Sequence, residues 1–214
     1  MTDDLAALRR AYDVGALEAA DLDPDPLRLF ERWFGDAQGS AEEEANAMTL
    51  ATVDEDGRPD ARVVLLKGLD DRGFVWFSNY RSAKGEQLEA NPDAALVFRW
   101  PRLERQVRVR GRVEPTSAQE SDAYFATRPL GSQIGAIVSA QSHPIADRTE
   151  LEAAAKTLAQ GPGSAIVRPA HWGGFRLIPG VIEFWQGRPN RLHDRFRFTR
   201  SETTMSWSVV RLSP

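Results

Sequence analysis

Cysteine is absent from the 214 residues, which excludes disulfides, thiolate catalysis, iron–sulfur clusters and cysteine-based zinc sites. Redox chemistry in such a chain requires a borrowed cofactor. No run of 18 apolar residues occurs, and the opening MTDDLAALRR lacks the basic-then-apolar order of a secretory signal. A soluble cytoplasmic protein with no membrane partner is therefore expected. Histidine is scarce: His143, His171 and His193 stand far apart without i, i+4 or HxH spacing, so no metal site is expected. The patterns GxSxG, GxGxxG and GxxxxGK followed by Ser or Thr are also missing, which argues against a serine hydrolase and against a Rossmann or P-loop site. An excess of one charge is lacking too. Charged residues make up 27% with both signs mixed and a net charge of -4, a balance ill suited to coating nucleic acid or an anionic membrane. Any anionic ligand must be met by local clusters.

What is present suits one sizeable core, since 42% of the residues are apolar. A single domain over 1–214 is expected, with a helical lead-in over 1–46 and a β-rich body over 47–214. Leu5, Leu8 and Tyr12 recur at helical spacing, as do Leu27, Phe30 and Phe34 behind an Asp25-Pro26 start. After an acidic stretch from Gly39 to Asn46, strands are expected over Met48 to Val53 and Arg62 to Lys67, around the turn Asp54 to Gly57. Further strands follow at Phe74 to Ser78, Ala95 to Trp100 and Gln106 to Val113, the last alternating Val107, Val109 and Val113 with Arg108, Arg110 and Arg112. Ser82 to Asn91 reads as a helix. Ser117 with Glu120 forms a capping-box pattern opening another, which ends near Pro129, and Thr149 with Glu152 repeats the pattern before a helix that stops at Gly161-Pro162-Gly163. Phe175 to Ile178, Val181 to Gln186, Arg195 to Thr199 and Ser206 to Leu212 complete the strands, with turns at Pro179-Gly180 and Gly187 to Asn190. Strands outnumber helices in one body, so the expected class is mainly β (α+β), an antiparallel barrel with helices at its edge.

Arginine stands where lysine would serve a merely solvated surface. From Gly187 to Arg200 the chain carries Arg188, Arg191, Arg195, Arg197 and Arg200 against one acid, Asp194. Such density suits either a protected strand edge or an anion site, because a guanidinium grips phosphate bidentately and stays charged when desolvated. Trp185 just before it is either a core residue or a partner for a planar heteroaromatic ligand. The stretch Arg105 to Arg112 has no aromatics on its polar side, so single-strand nucleic-acid binding is poorly supported.

Taken in order, the segments MTLATVDEDGRP, RVVLLKG, LERQVRVRG, RPLGSQIGA, SAQS, WGGF, IEFWQG, RLHDRF and VVRLSP resemble the pyridoxine/pyridoxamine 5'-phosphate oxidase family along essentially the whole chain. The resemblance implies a six-stranded antiparallel split β-barrel with flanking helices, binding FMN in clefts shared by the two subunits of a homodimer. It implies oxidation of pyridoxamine and pyridoxine 5'-phosphate by dioxygen to pyridoxal 5'-phosphate. By the same resemblance Arg62, Val63, Val64, Leu65, Leu66, Lys67, Phe77, Ser78, Lys84, Gln106, Gln141, Ser142, Trp185 and Arg195 contact the flavin. Lys67, Tyr124, Arg128 and Ser132 correspond to the pocket for the substrate phosphate. Arg191, Leu192 and His193 close over its pyridine ring, while Arg9 and Tyr12 belong to an N-terminal stretch that covers the site. The chain departs from the family in having Ala83 before Lys84, where an arginine is usual, with Arg81 two positions earlier, and in having Ala11 where an acid is common. The rival readings are a split-barrel flavin oxidase or reductase with another small-molecule substrate, and a non-catalytic carrier.

Overall fold

The computed structural model describes Ala7, residues 10–161 and residues 166–214. It contains helices α1 (Pro26–Gly39), α2 (Ala83–Ala90), α3 (Ala118–Thr127), α4 (Leu130–Val138) and α5 (Arg148–Ala159). Its strands are β1 (Ala47–Val53), β2 (Pro59–Leu65), β3 (Gly68–Asp70), β4 (Gly73–Asn79), β5 (Asp93–Trp100), β6 (Arg105–Pro115), β7 (Trp172–Gln186), β8 (Asp194–Arg200) and β9 (Trp207–Arg211). The strands hydrogen-bond in the order β2-β1-β5-β6-β7-β4-β3, with β8 added to β7 and β9 to β8. The described residues are thus mainly β and antiparallel, as expected, with nine strands where nine segments were read from the sequence, two of those segments merging into β7. The short β3 was not foreseen.

Local chemistry explains where the helices begin. Asp25 accepts the Leu27 N–H at 2.9 Å and Pro26 occupies the first helical position, so α1 starts where its sequence predicts. Ser117 and Glu120 close the expected capping box on α3. At α5 the Thr149 pattern does not cap: Asp147 accepts the Thr149 N–H at 2.8 Å, and Glu152 pairs instead with Arg148. Helix α4 was not foreseen, because Pro129, Gly131 and Gly135 mask it. Of the first expected helix, Leu5 and Leu8 lie outside the described residues. Tyr12 stands in a non-helical stretch.

The largest departure is β7, which runs through Pro179-Gly180 instead of turning there. Its first half pairs antiparallel with β4, Phe74 opposite Leu177 and Asn79 opposite Trp172. Its second half pairs with β8, Val181 opposite Thr199 and Gln186 opposite Asp194. Proline has no N–H to give, and here it sits where the strand changes partner, so neither of these two ladders lacks a donor.

By contacts the chain forms two compact units, residues 1–49, 95–110 and 179–214 in one and residues 50–94 and 111–178 in the other. In the first, α1 turns its apolar face inward, with Phe30 edge-on to Phe98 at 4.8 Å and Trp33 to Phe184 at 5.2 Å. In the second, the Arg176 side chain is almost fully buried. It grips both oxygens of Asp70 at 2.8 and 2.7 Å and reaches Glu120 at 2.6 Å. That pairing, together with the Ser117 cap, holds the Glu120 carboxyl down at about 2. It also ties the start of α3 to the sheet.

Gly85, in the first turn of α2, is where the second unit tolerates no side chain. A Cβ there would lie 2.0 Å from the Tyr80 carbonyl oxygen and 2.9 Å from that of Asn79. Backbone cannot rotate aside as a side chain does. Gly85→Ala is expected to lower unfolding free energy by at least about 1 to 3 kcal/mol, the range for overpacking, measured by denaturant titration. Unchanged stability would show that α2 has room to move.

Candidate functional site

A cleft of about 470 Å³ opens in the second unit, within the range of small-molecule sites. Strand β2 and the turn after it contribute Val63, Val64, Leu65 and Lys67; β4 contributes Phe77 and Ser78; α2 contributes Lys84. Tyr124 and Arg128 come from the end of α3, and Ser132 from α4. Gln141 and Trp172 complete the wall. Phe77 and Tyr124 stack at 3.9 Å with 13° between planes, and Trp172 continues the stack at 5.7 Å from Phe77. This makes a flat aromatic wall with polar groups around it.

Three cations line that cleft, and the two withdrawn from solvent, buried Lys84 and half-buried Arg128, have no anionic partner in hydrogen-bond contact among the described residues. The Lys84 ammonium donates to Ser78 Oγ at 3.2 Å, Ser82 Oγ at 3.0 Å and Gln141 Oε1 at 3.1 Å, all neutral oxygens. Burial, helped by the nearby Arg62 guanidinium, lowers its pKa to about 8. The Arg128 guanidinium lies 4.5 Å over the Trp172 ring, and its buried Nη1 has no hydrogen-bond partner among the described residues. Desolvation lowers its pKa as well, and burial pushes the Tyr124 hydroxyl up. A phosphate oxygen would satisfy both cations, and a planar ring would lie against the aromatic wall.

Arg62 is differently engaged from what the resemblance implies. Its guanidinium donates to the Leu50 carbonyl at 3.2 Å, Thr52 Oγ1 at 2.6 Å and Gln87 Oε1 at 3.0 Å, and pairs with Asp60. It does not line the cleft. Hydrogen bonds from Gln87 and charge from Arg62 hold the Asp60 carboxyl below its ordinary value. Leu66 points into the core at 7% exposure, and Ser142 is exposed beside Gln141 without lining the cleft. Arg81 lines a neighbouring cavity with His143 and His171, and Ala83 is exposed at the start of α2.

The remaining implicated residues lie in the first unit. Trp185 and His193 are 4.5 Å apart, and Tyr12 meets both edge-on at 5.7 and 5.5 Å. His193 Nδ1 accepts the Arg188 backbone N–H at 3.1 Å, so its neutral form carries the proton on Nε2. Burial and the positive Arg191 lower its pKa, outweighing the opposing charge of Asp194. Asp194 points away from the ring to the Leu17 N–H at 3.1 Å and to Arg211 at 3.0 Å. Arg191 is exposed on a left-handed backbone with φ 62°, and Leu192 is exposed beside it. Arg195 is bound by Glu183 at 2.8 and 3.0 Å, while Gln106 is half-buried on β6. Arg9 lies outside the described residues. Trp172 had been read only as part of a motif; no local signal shows that it would carry Arg128. Asn79 and the α4 residues Gly135 and Ala136 also line the cleft unforeseen.

Comparison with known proteins identifies the family. Residues 36–160 match the family model described as pyridoxamine 5'-phosphate oxidase, and residues 172–214 match a pyridoxine 5'-phosphate oxidase C-terminal dimerisation region. The chain is 58% identical over 210 residues to the pyridoxine/pyridoxamine 5'-phosphate oxidase of Cupriavidus necator and 56% identical to that of Paraburkholderia phytofirmans. Each match covers 98% of this chain and 99% of the relative. Among solved structures, PhzG from Burkholderia lata, crystallised with tetrahydrophenazine-1-carboxylic acid, superposes with a TM-score of 0.89 at 31% identity, covering 96% of this chain and all of the other. An FMN-binding oxidase-related protein from Nostoc punctiforme superposes at 0.72 with 19% identity, covering 90% of this chain and all of that one, which speaks to the fold alone. The two family models and the full-length matches to named oxidases establish that the chain belongs to the pyridoxine/pyridoxamine 5'-phosphate oxidase family.

Proposed function

We propose that the chain, acting as one catalytic domain and as a homodimer with its sites at the interface between two copies, is an FMN-dependent oxidase of vitamin B6 phosphates. It converts pyridoxine 5'-phosphate and dioxygen to pyridoxal 5'-phosphate and hydrogen peroxide. It converts pyridoxamine 5'-phosphate likewise, with water consumed and ammonia released. The observation carrying this reading is the cleft that combines a buried Lys84 and a half-buried Arg128, neither bonded to a carboxylate, with a stacked aromatic wall, in a chain more than half identical to named oxidases. Its cytoplasmic placement belongs to the same reading, and no described helix is long and apolar enough to cross a membrane.

The chemistry supplied by bound FMN is two-electron oxidation of the vitamer at its C4' carbon, with dioxygen as final acceptor. The protein's own share is placement. Lys84, Ser78 and Gln141 hold a phosphate-bearing ligand at one end of the cleft; Arg128, with Lys67, Tyr124 and Ser132, offers a second anionic pocket. Neutral His193 and cationic Arg191 orient the substrate ring, and no side chain is required as a nucleophile. A relative that acts on another substrate remains the competing reading, since the phenazine-complexed PhzG shares the fold at 31% identity. Full-length identity of 56 to 58% to the vitamer oxidases favours the first. Oxygen uptake and peroxide release on adding pyridoxamine 5'-phosphate to purified, FMN-loaded protein test it, and a flavoprotein that stays oxidised with both vitamers refutes it.

Two measurements probe the roles. The second ionisation of a phosphate monoester lies at about pH 6 and is nearly complete by about pH 7, whereas Lys84, with its pKa of about 8, titrates between neutral and alkaline pH. An anion binds the charged ammonium and raises its pKa again. The FMN dissociation constant, followed by flavin fluorescence, should be level from about pH 7 to 8 and then rise by up to about tenfold per pH unit. Lys84→Met should abolish that slope, and a wild-type constant unchanged from pH 7.5 to 9.5 would remove Lys84 from the phosphate site. Arg191→Ala should lower kcat/KM for pyridoxamine 5'-phosphate by at least about tenfold with FMN affinity preserved, the signature of an interaction made to substrate. Loss of flavin with normal turnover at saturating FMN would assign Arg191 to the cofactor instead.

A further inference from the structure

We propose that Glu104 is a positioning residue: its buried carboxylate latches the N-terminal segment 10–17 so that Tyr12 is seated against Trp185 and His193. The inference deepens the functional reading above and rests on it for its kinetic consequence. Glu104 lies in the turn between β5 and β6 with its side chain 1% exposed. Its Oε2 accepts the Val14 N–H at 3.0 Å, and Oε1 lies 3.4 Å from Arg10 Nη2. Arg10 also donates from Nη1 to the Pro101 carbonyl at 3.1 Å in the same turn. Tyr12 is therefore bracketed on both sides by residues that bond to one carboxylate.

The backbone of Glu104 works in the other direction. Its carbonyl accepts the Gly187 N–H at 2.7 Å and the Gln186 Nε2 at 3.3 Å, which fixes the end of β7 just past Trp185. Side chain and carbonyl serve different segments because φ is 55°, a left-handed conformation that is strained for a non-glycine residue and persists only where its surroundings demand it. Gly187 completes the fit. A Cβ on it would lie 2.7 Å from Tyr12 Cδ1 and 3.0 Å from Glu104 Cβ, so tyrosine and glutamate meet only over a residue with no side chain. A second anchor acts further along, where Asp194 accepts the Leu17 N–H at 3.1 Å and Arg188 donates to the Gly15 carbonyl at 3.3 Å. That anchor leaves the Tyr12 end to Glu104. With the latch closed, the Tyr12 ring walls the side of the Trp185–His193 pair, and its loss opens that pair to water.

Hydrogen exchange of the FMN-loaded protein, read over residues 10–17, tests the latch without substrate, and steady-state kinetics test its consequence. In Glu104→Ala the segment should exchange at least about tenfold faster while β7 and β8 keep their protection. KM for pyridoxamine 5'-phosphate should rise about three- to tenfold with kcat within about twofold of wild type, a split that global destabilisation does not produce. Glu104→Gln keeps an acceptor for the Val14 N–H and should recover most of both losses. Gly187→Ala, whose Cβ would crowd both Tyr12 and Glu104, should reproduce the faster exchange and the KM rise, and the Tyr12→Ala, Glu104→Ala double variant should be no worse than Tyr12→Ala alone. Unchanged exchange in Glu104→Ala overturns the latch, and faster exchange with unchanged KM overturns its role in positioning. Should Glu104→Ala fail to fold, wild-type exchange and KM in Gly187→Ala overturn it equally. Absence of turnover in the wild type would count against the functional reading alone, since the exchange result stands without it.

Discussion

Lys84 is withdrawn from water onto three neutral oxygens, and Arg128 is withdrawn onto the face of an indole with one nitrogen left over. Desolvating positive charge in this way is unfavourable unless an anion arrives, and much of the second unit serves to keep the two groups there. Gly85 lets α2 lie flat against the chain at Tyr80, which carries Lys84 inward. The capping box of α3 and the Arg176 pair fix the helix whose last turn delivers Arg128. Relaxing any of these supports would let a cation escape to solvent.

Arg176 shows what a buried cation looks like when its task is structural. It is more deeply buried than Lys84, yet both arms end on carboxylates, Asp70 and Glu120. Charge balance and geometry are complete there, and nothing further can bind. The same contrast separates Arg195, closed onto Glu183, from Arg191, whose exposed guanidinium sits on a left-handed backbone beside His193. Buried charge alone therefore marks no site.

Legibility in the sequence followed the range of the interaction. Asp25-Pro26 and Ser117 with Glu120 act within one helical turn, so the starts of α1 and α3 could be read directly. Alternation of valine and arginine in β6 is likewise local. Pro179-Gly180 misled because a proline that ends a strand and one that sits where a strand changes partner look alike without the partners. Helix α4 was hidden by two glycines, which weaken helical propensity, although its packing overrides them. The order of short motifs pointed to a family, and the structure draws Lys67, Tyr124, Arg128 and Ser132 into one cleft from distant positions. Side-chain direction was the hardest to foresee. Arg62 lies on the strand as expected, but Asp60, Thr52 and Gln87 claim its guanidinium through contacts no spacing rule encodes. Glu104 was equally silent, being one acid in a basic stretch until its left-handed turn brought it under Val14.

The partner change along β7 also divides the chain by the distance over which its ladders must close. Val181 meets Thr199 across a short excursion, whereas Leu177 meets Phe74 only after more than a hundred residues have been gathered. On simple loop-entropy grounds the second closure is costlier by roughly 1.5 kcal/mol. Contact order then places the β7–β8–β9 meander early in folding and the β4–β7 ladder late. Phe77 and Trp172 approach one another only through that late ladder, so the aromatic wall is among the last features a newly made chain acquires. Until then Lys84 and Arg128 remain hydrated, and the cleft they line does not exist before the topology is complete.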